Sequence, residues 1–227
     1  MNTCLRFTLI VIVSLLAAPV LAFHNPGEGD KEALDRVHGK GPYSPYVDRQ
    51  FPTTPLFGDT HLHTGMSMDA GVWGASLMPA DAYRFARGEQ VRTSTGLKAK
   101  LSRPLDFLVV TDHSDNMGWV TDLFAGKPEL LADEYGKKWY DMVKSGKAND
   151  AALEMISLFS QGKFPRAELY APGTQGYLQA WEDTVEAAEE YNEPGRLTAM
   201  IGYEWSSLVK GCNMHRNVIF RDNGDRA

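Results

Sequence analysis

The chain has 227 residues, 43% hydrophobic and 23% charged, with a net charge of −6; that length buries a good core in one large domain or two small ones. The composition excludes disorder throughout. An acidic chain with no run of lysine and arginine excludes nucleic acid and anionic membrane surfaces as partners.

MNTCLR carries one positive charge at Arg6, FTLIVIVSLLAAPV is apolar, and VLA ends on a small residue before FHN. This is the layout of a secretory signal peptide over residues 1–22, cleaved after Ala22. The apolar run is short of the ~20 residues of a spanning helix, so an uncleaved anchor is the lesser reading. No twin arginine is present, so export would run unfolded, to the periplasm or beyond, and leave no stable membrane anchor. Removing residues 1–22 deletes one arginine and no acid, leaving 22 basic residues against 29 acidic and a net charge of −7. Cys4 goes with the signal and Cys212 stays alone, which excludes an intramolecular disulfide and predicts a free, buried thiol.

Residues 23–55 are punctuated by Pro26, Gly27, Gly29, Gly39, Gly41, Pro42, Pro45, Pro52 and Pro55 and read as an extended arm. LFGDTHLH then has the period of a strand, with Asp59, His61 and His63 on one face. PADAYRFARGE reads as a short helix, with Pro79 in the first turn and Gly88 as its stop. In PLDFLVVTDH the run Phe107 to Val110 predicts a strand covered on both faces, with His113 at its C-terminal end. From about 119 to 192 the chain reads as helical, with DEYGKKWYDMVKSG, NDAALEMISLFSQG and GYLQAWEDTVEAAEEYN as the clearest segments. In the last, Tyr177, Trp181, Val185, Ala188 and Tyr191 form one stripe expected to pack in the core. RLTAMIGYEWSS is a predicted strand with Gly202 and Glu204 on one face, and HRNVIF is the final strand. The order implies an α/β domain with candidate residues near strand C-terminal ends, where such sheets and barrels hold their sites.

The candidates are His61, His63, Asp69, His113, Glu204 and His215, in a chain with only six histidines. A lone His-x-His is a weak signal, but the set matters: neutral imidazoles and carboxylates suit zinc, manganese or iron. Asp59 shares the face of His61 and could accept an imidazole N–H or cap a turn. Strand alternation turns Asp112 away from the site, into a supporting or structural role. Arg216 would attract a phosphate of a substrate, but alternation turns it away from His215, so a surface ion pair is its default role, and Asn217 is left on the side of His215.

THLHTGMSMDAG resembles the first motif of the PHP superfamily, named for polymerase and histidinol phosphatase: two histidines, a threonine, a serine, and a ligand six residues after the second histidine, here Asp69. LVVTDHSD resembles the second motif and points to His113; IGYEWSS followed by His215 resembles the third. FGDTHLHTGMSMDAG, GYEWSS and HRNVIF are closer still to a group of exported bacterial proteins that share a domain of unknown function. The resemblance implies a distorted parallel β/α barrel with two or three divalent ions at its C-terminal mouth, bound by His61, His63, Asp69, His113, Glu204 and His215. It also implies hydrolysis of phosphate esters, with Glu204 bridging ions and Asp69 the second carboxylate at the reaction.

Two departures qualify it. The late motifs, another histidine or cysteine and an Asp-x-His, are absent after His215, which reads either as an N-terminal fragment, the favoured reading, or as a protein that lost ligands. About 90 residues separate His113 from Glu204, so residues 119–195 read as a helical insertion between a first part (56–118) and a continuation (196–227) of the domain. The expected activity is an exported metal hydrolase in which metal-activated hydroxide attacks a small-molecule ester, a phosphate ester first, with zinc favoured. The alternatives are a non-catalytic metal-binding or partner-binding protein, and a hydrolase of amides, carboxylic esters or sulfate esters.

Overall fold

The computed structural model describes residues 55–165 and 167–227. The expected signal peptide and all of the arm but Pro55 lie outside the described residues. In chain order the elements are β1 (Gly58–Leu62), α1 (Met68–Val72), α2 (Pro79–Ala86), the short β2 (Val91–Arg92) and β3 (Lys98–Ala99), then β4 (Phe107–Val110). There follow α3 (Trp119–Phe124), α4 (Pro128–Leu131), α5 (Glu134–Lys144), α6 (Ala148–Ser160), a 3-10 turn (Ala167–Leu169), α7 (Gln175–Tyr191), β5 (Thr198–Met200), β6 (Gly202–Val209) and β7 (Cys212–Ile219). No helix among the described residues is long and apolar enough to cross a membrane.

The frame is a mixed α/β arrangement around a parallel sheet of three strands in the order β1-β4-β5. Its central strand reads FLVV because both faces are covered: Leu108, Val109 and Val110 are all buried. On one side Leu108 and Val110 pack with Tyr83 and Ala86 of α2, Ala187 and Ala188 of α7, and Leu197. On the other, Val109 lies against β6 at Gly202, where an added Cβ would stand 2.7 Å from the Val109 side chain and 2.8 Å from the Val218 carbonyl. Only glycine lets β6 pass that closely.

Helix α2 starts as its sequence suggests. Pro79 occupies the first turn, Asp81 accepts from the Met78 N–H at 3.2 Å, and Gly88 takes φ 80° just past the end.

Three expectations change. The strand expected over 56–63 is confined to Gly58–Leu62, with its register interrupted between Asp59 and Leu62, so regular alternation does not carry through to His63. RLTAMIGYEWSS is interrupted at Ile201: β5 ends at Met200, and β6, still bridged in parallel to His113 at Glu204, pairs along its length with β7 in an antiparallel hairpin closed by Lys210 (φ 54°) and Gly211 (φ 80°). Two consecutive residues with positive φ make the tight turn whose twist suits a hairpin. The stripe of α7 does pack against the core, but most of it lies at the margin: the fully buried face is Ala180, Thr184, Ala187 and Ala188, while Trp181, Val185 and Tyr191 pack, partly buried, against the same cluster and Tyr177 against another. Small side chains let the helix approach the sheet, and the large ones fill its flanks, Trp181 against Tyr203 and Phe220, Tyr191 against Tyr83.

The helical stretch therefore divides. Helices α3–α6 share a separate apolar centre of Trp119, Leu123, Leu130, Trp139, Met155 and Phe164, which Val72 of α1 joins. Helix α7 belongs with the sheet.

Tyr83, fully buried, ties these layers: its hydroxyl donates to the Met200 carbonyl at 3.1 Å and accepts from the Val110 N–H at 3.4 Å. Burial pushes its phenol up to about 12. The folded value is raised, so this contribution is whole below the unfolded pKa near ~10 and is lost as pH rises from there through about 12. Tyr83→Phe should cost about 1–3 kcal/mol at neutral pH and flatten the fall of stability over that alkaline window, as read by urea denaturation at several pH values.

Candidate metal centre

The site is built on two backbone seams. At the end of β4 the chain runs on through Thr111-Asp112-His113, and His113 forms an isolated parallel bridge to Glu204. The Glu204 N–H donates to the Asp112 carbonyl at 3.0 Å and the Ser114 N–H donates to the Glu204 carbonyl at 2.9 Å. The second seam is the hairpin. Opposite residues of an antiparallel pair share a face, and Glu204 stands opposite Asn217 while Ser206 stands opposite His215. All four therefore face one side.

The structure brings the six candidates together. Around the buried Glu204 carboxylate, Oε2 lies 3.1 Å from His61 Nε2 and 2.7 Å from His63 Nε2, and Oε1 lies 2.6 Å from His215 Nδ1. His113 Nδ1 is 3.7 Å from Oε2. Asp69 sits to one side, its carboxylate 3.0 Å from His63 Nδ1 and 3.6 Å from His113 Nε2. Their donor atoms fall into three triads within which all lie inside 4.8 Å: His61-His63-Glu204, His63-Asp69-His113 and His113-Glu204-His215.

Two features fit a divalent ion. His63 Nε2 is buried and makes no hydrogen bond although Glu204 Oε2 is 2.7 Å away; an orphaned nitrogen pointed at a carboxylate is what a shared ion resolves. Donors on a tetrahedral zinc at ~2.0–2.2 Å stand about 3.4 Å apart, close to the separations here. The chemistry of the rings also limits the count. A neutral imidazole has one lone pair, so filling all three triads would need both nitrogens of His63 and of His113 as acceptors. With the proton of His63 on Nδ1, facing Asp69, its Nε2 serves the first triad; His113 and His215 then serve the third. Glu204 reaches both through its two oxygens.

The electrostatics follow from the packing. Burial opposes ionisation of Asp69, but hydrogen bonds from His113, His63 and Ser67 hold it far below the usual carboxylate range. Burial lowers the affinity of His63 for a proton, yet the hydrogen bond to Asp69 and the charges of Asp69 and Glu204 leave it raised. Burial works against the Glu204 anion as well, and the histidines His113, His61, His63 and His215 reverse that and lower its pKa.

The supporting residues were expected at four positions. Asp112 is fully buried and accepts from both the N–H and, at 2.6 Å, the hydroxyl of Thr64, the neighbour of His63; burial pushes its carboxyl up to about 6 against those hydrogen bonds. Asn217 does not reach the cluster with its amide: Nδ2 donates to the Thr60 carbonyl at 2.9 Å and so pins β7 to β1 beside His61. Arg216 points away, and its guanidinium donates to the His215 carbonyl at 3.2 Å; among the described residues it joins no ion pair. Of the two roles open to Asp59 the structure shows the turn one: its carboxylate accepts from the His61 N–H at 2.9 Å, and no imidazole among the described residues donates to it. Cys212 is free but exposed, not buried, because it begins β7 at the hairpin tip.

Residues 50–227 match a family described as protein of unknown function, DUF3604. The chain belongs to this family. No curated protein and no solved structure matches it.

In this member of DUF3604 two serines complete the site. Ser67, the serine of the first motif, is fully buried, lies 3.2 Å from His63 Nδ1 and accepts from the His113 N–H at 3.1 Å. Ser206, which sequence reasoning passed over, bridges two rings, 2.8 Å from His113 Nδ1 and 3.1 Å from His215 Nδ1. It had a signal, since it stands two residues after Glu204 on the same strand face.

Asp112→Ala would strand the buried N–H and hydroxyl of Thr64. It should cost about 2–4 kcal/mol in urea denaturation, and, by freeing the segment next to His63, weaken zinc binding about 10- to 100-fold; zinc affinity unchanged in a folded variant would contradict the link.

Proposed function

We propose that the protein is an exported, metal-dependent hydrolase acting on phosphate esters. One observation carries this reading: a buried carboxylate, Glu204, faces four imidazoles and, among the described residues, no lysine or arginine, with His63 Nε2 orphaned beside it. A buried carboxylate needs a compensating positive charge. Imidazoles supply it only when protonated, which costs them the lone pairs that ligate, whereas divalent cations supply it with the rings neutral.

The ions are two by the lone-pair argument, held by His61, His63 and Glu204 on one side and by His113, Glu204 and His215 on the other. Zinc is favoured by the imidazole-rich donors and by acquisition outside the cytoplasm. Bound there, such ions supply Lewis acidity toward the ester oxygens and lower the pKa of water.

The chain's own residues hold the geometry. Asp69 keeps the His63 proton on Nδ1, so Nε2 is free to ligate. Ser206 sets His113 and His215 together, and Ser67 fixes the backbone of His113. Asp69, in reach of both His63 and His113, is the second carboxylate proposed at the reaction; held far below the usual range, it acts by anchoring the ring protons and not as a strong base. With Arg216 turned outward, the substrate's anionic charge is met at the cluster itself. A PHP-type β/α barrel is the proposed parent of the three parallel strands, with 56–118 and 196–227 as its two parts. The segment 119–195 is the proposed insertion, and within it α7 works as part of the sheet layer.

Hydrolysis of p-nitrophenyl phosphate should require about two zinc equivalents per chain, vanish on chelation, and fall at least about 100-fold in both His61→Ala and Glu204→Ala. Activity that survives both substitutions refutes the reading. Stoichiometric zinc uptake without turnover of any ester would point instead to a metal-binding protein that does no chemistry.

A further inference from the structure

Beside the metal cluster lies a cleft of about 220 Å³. His113 and His215 line it together with other polar groups, and its apolar walls are Met68, Trp73, Ile156, Phe159 and Leu208. The walls come from three separate elements: α1 and its C-terminal residue, α6, and β6. Ile156 and Leu208 are partly buried yet pack into none of the three apolar clusters of the molecule, so their apolar surface is left for the cleft. Trp73 is 56% exposed but not loose: its indole N–H donates to the Asn149 side chain of α6 at 2.7 Å, which holds the ring as a wall.

We infer that this cleft is the subsite for the organic group of the substrate, and that the group is a single aromatic ring without a second negative charge. This rests on the hydrolase reading for the orientation, with the ester at the cluster and the ring in the cleft. Size supports one ring: a cavity of roughly 150 Å³ lined by aliphatic and aromatic side chains accepts benzene, and this one leaves room for a substituent. Charge supports the second half. No lysine or arginine lines the cleft, whereas Asp69 and Asp115 do, and Asp115 Oδ2 is buried with no hydrogen-bond partner among the described residues. An anionic substituent would meet two carboxylates there; an uncharged ring meets indole, phenyl and aliphatic surface. In an aryl phosphate the oxygen of water would add to phosphorus as the bond between phosphorus and the aryl oxygen breaks. Water's proton would leave with the phenol, and inorganic phosphate would remain.

Binding tests this apart from turnover. Isothermal titration of the zinc-loaded protein would compare phenylphosphonate with methylphosphonate, and benzoate with acetate. Burial of the ring should make the aryl member about 10- to 100-fold tighter in at least one pair. Ile156→Trp, which fills the cleft, should erase that preference; Leu208→Glu, on a different element, does the same by charge and serves where the first variant fails to fold. Equal affinity of aryl and methyl ligands in both pairs overturns the inference. So does the absence of aryl binding, or a preference that persists in either folded variant. Aryl preference with no hydrolysis of phenyl phosphate overturns only the phosphoesterase reading.

Discussion

A carboxylate removed from water is the constraint around which the rest is arranged. Glu204 is 2% exposed, and an ionised group at that depth survives only with compensating charge and satisfied oxygens. Its position cannot be adjusted by side-chain rotation alone, because its own backbone is sewn on both sides to the segment after β4, through the Asp112 carbonyl and the Ser114 N–H. The same segment carries His113. The Asp112 side chain then reaches across to Thr64 and fixes the stretch that carries His63. Three separate parts of the chain thus converge through one short run of residues, and the imidazoles are held near the carboxylate whether or not anything binds them.

What makes this possible is that β6 is paired on both sides. At Glu204 it keeps the parallel register of β5 against the segment after β4, through the bridge to His113, while along its length it pairs antiparallel with β7. The chain passes Val109 closely at Gly202, and the Phe220 N–H returns to the Ile201 carbonyl at 2.9 Å. The hairpin between them has one face toward the cluster. Cross-strand pairing then sets Ser206 directly opposite His215, and the serine hydroxyl spans from that ring to His113. The hairpin converts a sequence separation of eleven positions, Glu204 to His215, into direct contact.

Much of this was legible wherever a local rule had no competitor. The run FLVV marked a strand buried on both faces, and Pro79 with Gly88 bounded a helix, because each rests on a steric property of a few adjacent residues. Alternation along β7 correctly separated Arg216 from Asn217. The failures share a cause: tertiary contacts overrode a regular pattern. The irregularity in β1 follows from its pairing with β4, which sequence period does not encode. The hairpin turn was hidden because Lys210 is no signal for positive φ, although Gly211 is. In α7 hydrophobic weight pointed to the aromatics, whereas the approach distance of helix and sheet selected Ala180, Thr184, Ala187 and Ala188. Asp59 and Asn217 bond to main chain rather than to rings, a choice that depends on which backbone group happens to lie in reach.

The helices α3–α6 give the last step. Their apolar centre holds Val72 of α1, a five-residue helix that is too short to be stable alone. Helix α1 carries Asp69 at its first turn and ends beside Trp73, so one packing contact positions both the carboxylate that orients His63 and the ring that walls the cleft. The Trp73 indole bond to Asn149 fastens the same helix a second time. The helical layer is therefore coupled to the cluster through α1 and not merely appended to it: loosening α6 would shift Asp69 relative to His63 and His113 as well as open the cleft. Elaboration far from the candidate ligands in sequence is, by this route, in mechanical contact with them.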